Sequence, residues 1–395
     1  NSRMKQHYFI ATKFLSSNEG VGRFTGIISK IGLAVGSFAL IISISVLNGF
    51  ESKVIDRIRN FEGDVRITGL NINKNIDDVL SIDNITSASF NRERKGLLNF
   101  NFKNKIVVFK EIDINMIDNF YHFPIIGNLP KTDEVLIGYD IALRLGIKID
   151  DEVLISSPLD QSSPLGFPPA YKVVVSGFFK SRILDYDDNI AFISKDIGSK
   201  LFNHASISNF IDLKLKNNIV DINKLKNKLN KIYTSEIKVE TWQERHHMLA
   251  KAMMMEKVGS IITLSLIILV ASFNMSATLS LLTLKKIKDI AILRVLGARI
   301  KDLKRILIYQ SFLIGGKGSL AGILLGLFLV ITQNIFGFIL LPNDIYSMDT
   351  LPMLLSLKDI VLTIFLCCFF IFFPGLLAGS KISKYNLMES IKWGK

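Results

Sequence analysis

The sequence predicts an α-helical membrane protein with four transmembrane helices and a large α+β extracytoplasmic domain between helices 1 and 2. Three observations predict it. Of 395 residues 49% are apolar, and they gather into four runs, each near the roughly 20 residues that a spanning helix needs. A long stretch of mixed composition separates the first run from the second. The excess positive charge is confined to the segments on one side of the four runs.

The elements follow in order. Residues 1–26 form a cytoplasmic segment, with Met4 a natural start and Asn1 to Arg3 ahead of it. The run 27–47 lacks a small-x-small cleavage site and continues into Asn48, Gly49 and Phe50, so it reads as a retained helix rather than a signal peptide. A helical pattern over 51–60 would carry it outward. Within the extracytoplasmic domain, 48–257, alternation predicts strands over 64–68, 96–102, 105–109, 133–137, 152–156, 172–179, 189–193, 210–215 and 238–241. Helices are expected over 195–202, 221–233 and 242–257, the last leading into the second span. The part from 120 to 204 is richer in strands and turns. It is expected as an inserted β-rich lobe on a flanking α/β layer, 51–119 and 205–257. The remaining segments are span 258–282, loop 283–305, span 306–336, an outer loop 337–359, span 360–377 and tail 378–395.

Charge sets the orientation. The amino-terminal segment with Lys30, the 283–305 loop and the tail together hold 17 Lys and Arg against 4 acids, an excess equal to the net charge of +13. The stretch 51–257 is nearly balanced, with 29 basic and 28 acidic residues. Both termini and the loop are therefore expected in the cytoplasm. The basic balance is a topology signal, which argues against a nucleic-acid partner. The two cysteines, Cys367 and Cys368, lie inside the fourth run, so the outer domain must rely on packing and not on disulfides.

Little in the chain suggests catalysis. Gly315, Gly316, Lys317, Gly318 and Ser319 lack the Ser or Thr directly after Lys and the Gly five positions ahead that a phosphate-binding loop requires. His7, His122, His204, His246 and His247 show no metal-ligand spacing. The pairs Asp150 with Asp151 and Asp187 with Asp188 lie beside turn residues and read as solvated loops. Lys317, inside a span, is either a functional charge or a lysine that snorkels to the surface. Gly318, Gly322 and Gly326 in the third run and Gly32 and Gly36 in the first have the four-residue spacing that lets helices approach closely, in a tight bundle of one chain or of a dimer.

The 283–305 loop is cationic and amphipathic. Ile287, Ile290, Ala291 and Leu293 alternate with Lys286, Lys288, Asp289 and Arg294, and then Gly297 and Ala298 break the pattern. This predicts a short surface helix, a glycine stop and a second piece entering the third span. It is a handle for a partner protein or an interfacial helix held by anionic lipid.

Several motifs resemble a known family. They are Ser45 to Glu51 at the outer end of the first span, Asp289 to Ala298 in the loop, Ser163 to Pro169 before the strand 172–179, and Tyr8 to Leu15. With the order of one span, a large outer domain and three spans, the chain resembles the permease subunits of lipoprotein-releasing ABC transporters, the LolC and LolE type, within the FtsX and MacB permease superfamily. The resemblance implies a non-catalytic permease of the bacterial inner membrane, with a periplasmic domain and no cofactor of its own. A separate cytoplasmic ATPase dimer would bind ATP and Mg and dock on a coupling helix at Lys286, Asp289, Ile290, Ala291, Leu293, Arg294 and Gly297. A second permease, identical or paralogous, would complete a cavity for the acyl chains of a triacylated lipoprotein, lined by Val46, Leu47 and Phe50 with Met253, Met254 and Met255 opposite. A proline-rich hook, Pro164, Gly166, Phe167, Pro168 and Pro169, would engage a periplasmic carrier. In the implied mechanism, closure of the ATPase pushes the coupling helices inward and the spans tighten through their glycine faces. The tail departs from the family pattern near Asn386, where the family has Pro. Two alternatives share the architecture: an FtsX-type regulator that relays motion to a cell-wall hydrolase, and a MacB-type efflux permease, a group that usually carries its ATPase fused ahead of the first span.

Overall fold

The computed structural model describes residues 8–13, 21–69, 82, 84–113, 120–157, 170–202, 208–216, 222–232, 237–342 and 348–382. After a short helical segment over 8–13, helix α1 (Val21–Glu62) leads to strands β1 (Val65–Thr68), β2 (Ile85–Phe100), β3 (Lys103–Glu111), β4 (Ile125–Gly127) and β5 (Glu134–Gly138). There follow α2 (Tyr139–Leu145), β6 (Glu152–Ser156), β7 (Ala170–Phe179), α3 (Leu184–Asn189), β8 (Ile190–Ile193), α4 (Lys195–Leu201), β9 (Ser208–Leu215), α5 (Ile222–Ile232) and β10 (Lys238–Thr241). The chain closes with α6 (Trp242–Arg245), α7 (His247–Lys285), α8 (Ile287–Val295), α9 (Ile300–Phe336) and α10 (Leu357–Ile382). Two compact units result, Asn1–Ser52 with Lys251–Lys395, and Lys53–Ala250.

In the helical unit the apolar runs become helices longer than the runs themselves. Helix α1 has 42 residues, α7 has 39 and α9 has 37, where about 20 suffice to cross a bilayer. The predicted outward helix 51–60 is continuous with the first span. The predicted helix 242–257 is instead two pieces, because Thr241 and Glu244 form a reciprocal cap that starts α6 and the chain turns at His246 before α7 begins.

The glycines set how closely these helices pack. A Cβ on Gly318 would meet the Lys30 carbonyl oxygen at 2.4 Å, and one on Gly322 the Ala34 oxygen at 2.1 Å. Gly326 abuts Ile41, while Gly32 and Gly36 face Ala271 and Ile268 of α7. The glycine faces are thus filled within one chain, α9 on α1 and α1 on α7, and are not left over for a second copy. At Gly318 and Gly322 the neighbour is backbone, and at Gly32, Gly36 and Gly326 it is a side chain.

Polar groups hold the same contacts. Ser37 Oγ donates to Ser319 O at 3.1 Å, and Ser29 and Thr278 share a hydrogen bond of 3.2 Å. Pro374 lies inside α10 and has no N–H for the Phe370 carbonyl. Ser272 of α7 supplies the missing donor at 2.6 Å, and Ser311 of α9 donates to the adjacent Ile371 carbonyl. A helix-breaking residue is tolerated here because neighbouring helices satisfy the groups it frees.

In the other unit a single ten-stranded sheet has the order β10-β1-β9-β2-β3-β8-β5-β7-β4, with β6 paired to β2 and β7. It runs through both the expected flanking layer and the expected inserted lobe, because β2 is far longer than the predicted 96–102. Its first half pairs with β9 from Ile85 to Glu93, and its second half pairs with β3 and β6. The predicted end at Phe102 is a hairpin turn, with Asn101 and Phe102 at φ 48° and 63°, the left-handed pair that suits the twist of such a hairpin. Strand β4 and helices α2 and α3 were not predicted; each is short, with too few residues to show a period. The end of α1 enters an aromatic cluster in which Phe61 stacks on Tyr186 at 4.4 Å and meets Tyr121, Phe179 and Phe192.

Gly322→Val puts a branched side chain where 2.1 Å is available. Overpacking of this kind costs about 1–3 kcal/mol, so the variant should unfold at lower denaturant than wild type in mixed micelles, while Gly316→Val, at an open position of the same helix, should not.

Candidate functional site

The loop between the second and third spans folds as its sequence predicts, into a short helix and a glycine stop. Helix α8 ends at Val295 with Leu296 as its C-cap; Gly297 takes φ 96°, its N–H bonding to Arg294 O at 3.0 Å and the Ala298 N–H to Leu293 O at 2.9 Å. This pair of bonds is the Schellman closure, which only glycine enters without strain. Asp302 then caps the start of α9 by accepting from the Arg299 N–H at 3.2 Å.

The helix is apolar on two faces, and only one is buried. Ile290 and Ala291 lie inside, Ile290 in a cluster with Ala11, Leu282 and Leu303, and Leu293 packs partly against it. They are therefore turned away from any docking partner. Lys286 and Asp289 pair at 3.3 Å, Arg294 is half-buried and Gly297 is exposed. The residues that stand outward are Ile292, Val295 and Leu296, the last two 77% and 78% exposed. Sequence reasoning missed them because it followed the stripe of Ile287, Ile290 and Ala291. The signal was present, since apolar residues three and four apart on the opposite face of a charged helix need a second partner. Phe9, Ile10 and Lys13 of the amino-terminal segment join Asp289, Ile292 and Leu293 around a cleft beside this surface.

At the outer end of α1 the motif Ser45 to Glu51 does its work through Asn48 and Gly49. Asn48 Nδ2 donates to Asp359 Oδ2 at 2.7 Å and to Leu354 O at 3.3 Å, while Lys257 Nζ of α7 donates to Asn48 Oδ1 at 2.6 Å. One amide thus joins three helices. A Cβ on Gly49 would stand 2.1 Å from Pro352 O, so no other residue fits beneath that segment. Of the residues predicted to line a cavity, Val46, Leu47 and Phe50 are half-buried, Val46 packing on the cluster of Ile41, Ile323, Val330 and Met353. Met253 is half-buried, and Met254 and Met255 are 68% and 75% exposed on α7.

The sheet unit contains a buried ionic cluster that was not predicted. Glu62, the last residue of α1, accepts from Tyr186 Oη at 2.5 Å, bonds to His246 Nε2 at 2.8 Å and lies 3.2 Å from Arg245 Nη1. Arg245 also lies 3.5 Å from Asp212 on β9, which is fully buried and held by both Nε and Nη2 of Arg66 on β1 at 2.6 and 2.9 Å. Lys110 of β3 lies 3.6 Å from Asp212 and 3.4 Å from Glu93. Burial alone would push the Lys110 ammonium down, but Tyr121, Glu93 and Asp212 outweigh it and hold the group above the usual lysine range. Three cations, Arg66, Lys110 and Arg245, face the carboxylates Glu62, Glu93 and Asp212. The cluster joins the end of α1 and the residues just before α7 to the middle of the sheet.

The carboxy-terminal part of the chain matches a known family. Residues 261–387 correspond to the FtsX-like permease C-terminal domain. The chain carries an FtsX-like permease domain. The lipoprotein-releasing system transmembrane protein LolC of Xylella fastidiosa (strain Temecula1 / ATCC 700964) is 25% identical to this permease over 393 residues, covering 94% of each chain. LolE of Haemophilus influenzae is 26% identical over 365 residues, covering 85% of this chain and 86% of that one. The periplasmic region of MacB from Actinobacillus actinomycetemcomitans aligns with 50% of this chain and 98% of its own length at 10% identity and a TM-score of 0.35, too slight a likeness to add to the argument. The resemblance read from the sequence motifs is borne out by the two relatives. Four of its helices are long and apolar enough to cross a membrane, which fits a multi-pass membrane protein carrying this permease domain.

The other predicted sites fall as follows. The hook residues Pro164, Gly166, Phe167, Pro168 and Pro169 lie outside the described residues, as do His7, His204 and Asn386. Lys317 of the permease is exposed beside Gly318, whose face is against α1, so its stem points away from the bundle and fits snorkelling. Asp187 and Asp188 are not a solvated loop. Asp187 is buried and accepts from the Ser181 and Arg182 N–H groups at 2.6 and 3.0 Å, and Asp188 pairs with Lys105 and Arg144 at 2.8 and 3.0 Å. Among the described residues no three His, Cys, Asp or Glu side chains come together as metal ligands.

Arg245→Met leaves Glu62 and Asp212 short of a cation inside the protein. Breaking one partner of a buried network costs about 3–5 kcal/mol. The thermal unfolding midpoint of the full-length permease should therefore fall well below wild type, and an unchanged midpoint would show that the cluster contributes nothing.

Proposed function

We propose that this permease extracts triacylated lipoproteins from the inner membrane and passes them to a periplasmic carrier, driven by a separate cytoplasmic ATPase dimer that binds ATP and Mg. The observation that supports the driving step most directly is the exposed tip of Ile292, Val295 and Leu296. These residues sit on a helix whose end is fixed by a glycine closure and whose inner face is packed into the bundle. A rigid apolar knob in a positively charged loop suits a groove on a protein partner, and the basic surroundings support a cytoplasmic position for that loop.

The names of the LolC and LolE relatives supply the cargo class. Removing acyl chains from lipid costs about 0.8 kcal/mol per CH2, which is why an ATPase is needed. Since the glycine contacts are closed, force from the docked ATPase travels along α1 and α7 as rods rather than by a tightening of helix faces. A second permease, identical or paralogous, completes the acyl-chain cavity with the half-buried and exposed residues Val46, Leu47, Phe50 and Met253 to Met255, and the proline-rich hook meets the carrier.

Purification of the complex in a mild detergent tests this reading. Mass spectrometry should find a triacylated lipoprotein and an ABC ATPase in the wild-type sample, and Leu296→Asp should lose the ATPase while keeping normal membrane insertion. A cell-wall hydrolase in place of the lipoprotein would favour the FtsX-type regulator and overturn the transport reading; retention of the ATPase by Leu296→Asp would overturn the docking surface alone.

A further inference from the structure

The segment between α9 and α10 does not look like a loop built for water. Phe336, Phe338, Leu340 and Leu357 are 66%, 71%, 73% and 80% exposed, with Ile339 and Leu354 also outward. Phe336 and Phe338 stack at 5.2 Å, so two aromatic rings form one raised apolar surface.

This surface continues the outer stripes of both helices. On α9 the stripe runs through Phe328, Ile331 and Ile335, and on α10 Leu357 heads the row of Val361 and Phe365. Those stripes are the parts of the two spans that meet lipid. Charge enters the sequence after Pro342 with Asp344, which lies outside the described residues, and continues with Asp349 and Lys358, both exposed.

The backbone is prepared for a poorly hydrated site. Gln333, nearly fully buried on α9, accepts from the Ile339 N–H at 3.0 Å and donates to Ile339 O and Leu351 O, both at 3.2 Å. Asn334 donates to Met353 O at 2.8 Å. The Leu351 N–H reaches Ile339 O at 3.0 Å and the Leu341 N–H reaches Asp349 O at 3.1 Å. Irregular backbone survives at membrane depth only where its polar groups find partners in the protein, and two side-chain amides supply several of them here.

We infer that residues 336–342 and 348–357 form an interfacial anchor that inserts into the outer leaflet, with the glycerol and upper acyl layer of phospholipid as its occupant. Aromatic and aliphatic residues interrupted by a few charges, Asp349 within the segment and Lys358 just after it, match that layer. The anchor bears on the outer end of the first span, since the Leu354 N–H bonds to Ser45 O at 2.9 Å and Asn48 bonds to Leu354 O. It therefore fixes the depth at which the Asn48 junction sits. This holds whether or not the cargo is a lipoprotein.

A nitroxide placed by Phe338→Cys, in a full-length chain with Cys367→Ala and Cys368→Ala, tests the anchor in phosphatidylethanolamine and phosphatidylglycerol vesicles. Phe102→Cys, at the fully exposed hairpin tip of the sheet unit, is the aqueous control, and Leu340→Cys reads the same surface if the first variant folds poorly. Collision with oxygen should exceed collision with a water-soluble nickel chelate several-fold at positions 338 and 340, with the ratio reversed at 102. A ratio like that of position 102 would place the segment in water, and low collision with both reagents would mean that protein, such as a second copy, covers it; either result overturns the proposal.

Discussion

A carboxylate buried at the end of a long apolar helix has to be neutralised where it lies, and the way Glu62 is neutralised organises the sheet unit. Its partners come from the residues immediately before α7, Arg245 and His246, and Arg245 in turn reaches Asp212 in the middle of the sheet. No member can leave alone, because an unpaired charge in that site costs several kcal/mol. Within the sheet unit the last turn of α1, the residues Arg245 and His246 and strands β1, β3 and β9 are therefore held together. Phe61, one residue earlier, adds an aromatic socket on the same helix end, so charge and packing act at adjacent positions.

The helical unit achieves a comparable fixity by other means. Water is scarce there, so contact rests on shape and on hydroxyl groups rather than on ion pairs. The glycines of α9 meet backbone of α1, and the carbonyls freed or weakened by Pro374 are taken by Ser272 and Ser311. Asn48 extends this at the outer end by joining α1, α7 and α10 through one side chain.

Much of this architecture was legible in the sequence because bilayer thickness is a strong, local constraint. Four runs of the right length gave four helices, and Gly297 gave the stop it implied. The strand positions near 152–156 and 238–241 were likewise visible as alternation. What escaped was whatever depended on distant partners. The first half of β2, with Asn91, Arg92, Glu93 and Arg94 in sequence, reads as a polar loop until β9 pairs with it. Asp212 and Arg66 look like ordinary strand polar residues, and only the fold shows that they face each other inside. At the candidate docking surface the motif was visible but its facing was not: the periodic residues Ile290 and Ala291 serve the bundle, and the outward work falls to Val295 and Leu296.

In the proposed mechanism the cluster of Glu62, Arg245 and Asp212 inside the sheet unit stays shut while the ATPase cycles. Pulsed dipolar spectroscopy on the full complex addresses it most directly, with nitroxides at Asn60→Cys and Gln243→Cys beside the cluster and at Phe24→Cys and Leu284→Cys near the far ends of the same helices, all four sites exposed. Between the nucleotide-free and ATP-trapped states the 24–284 distance should shift while the 60–243 distance stays constant. A shift at 60–243 of equal size would show that the cluster opens during the cycle, contrary to this account.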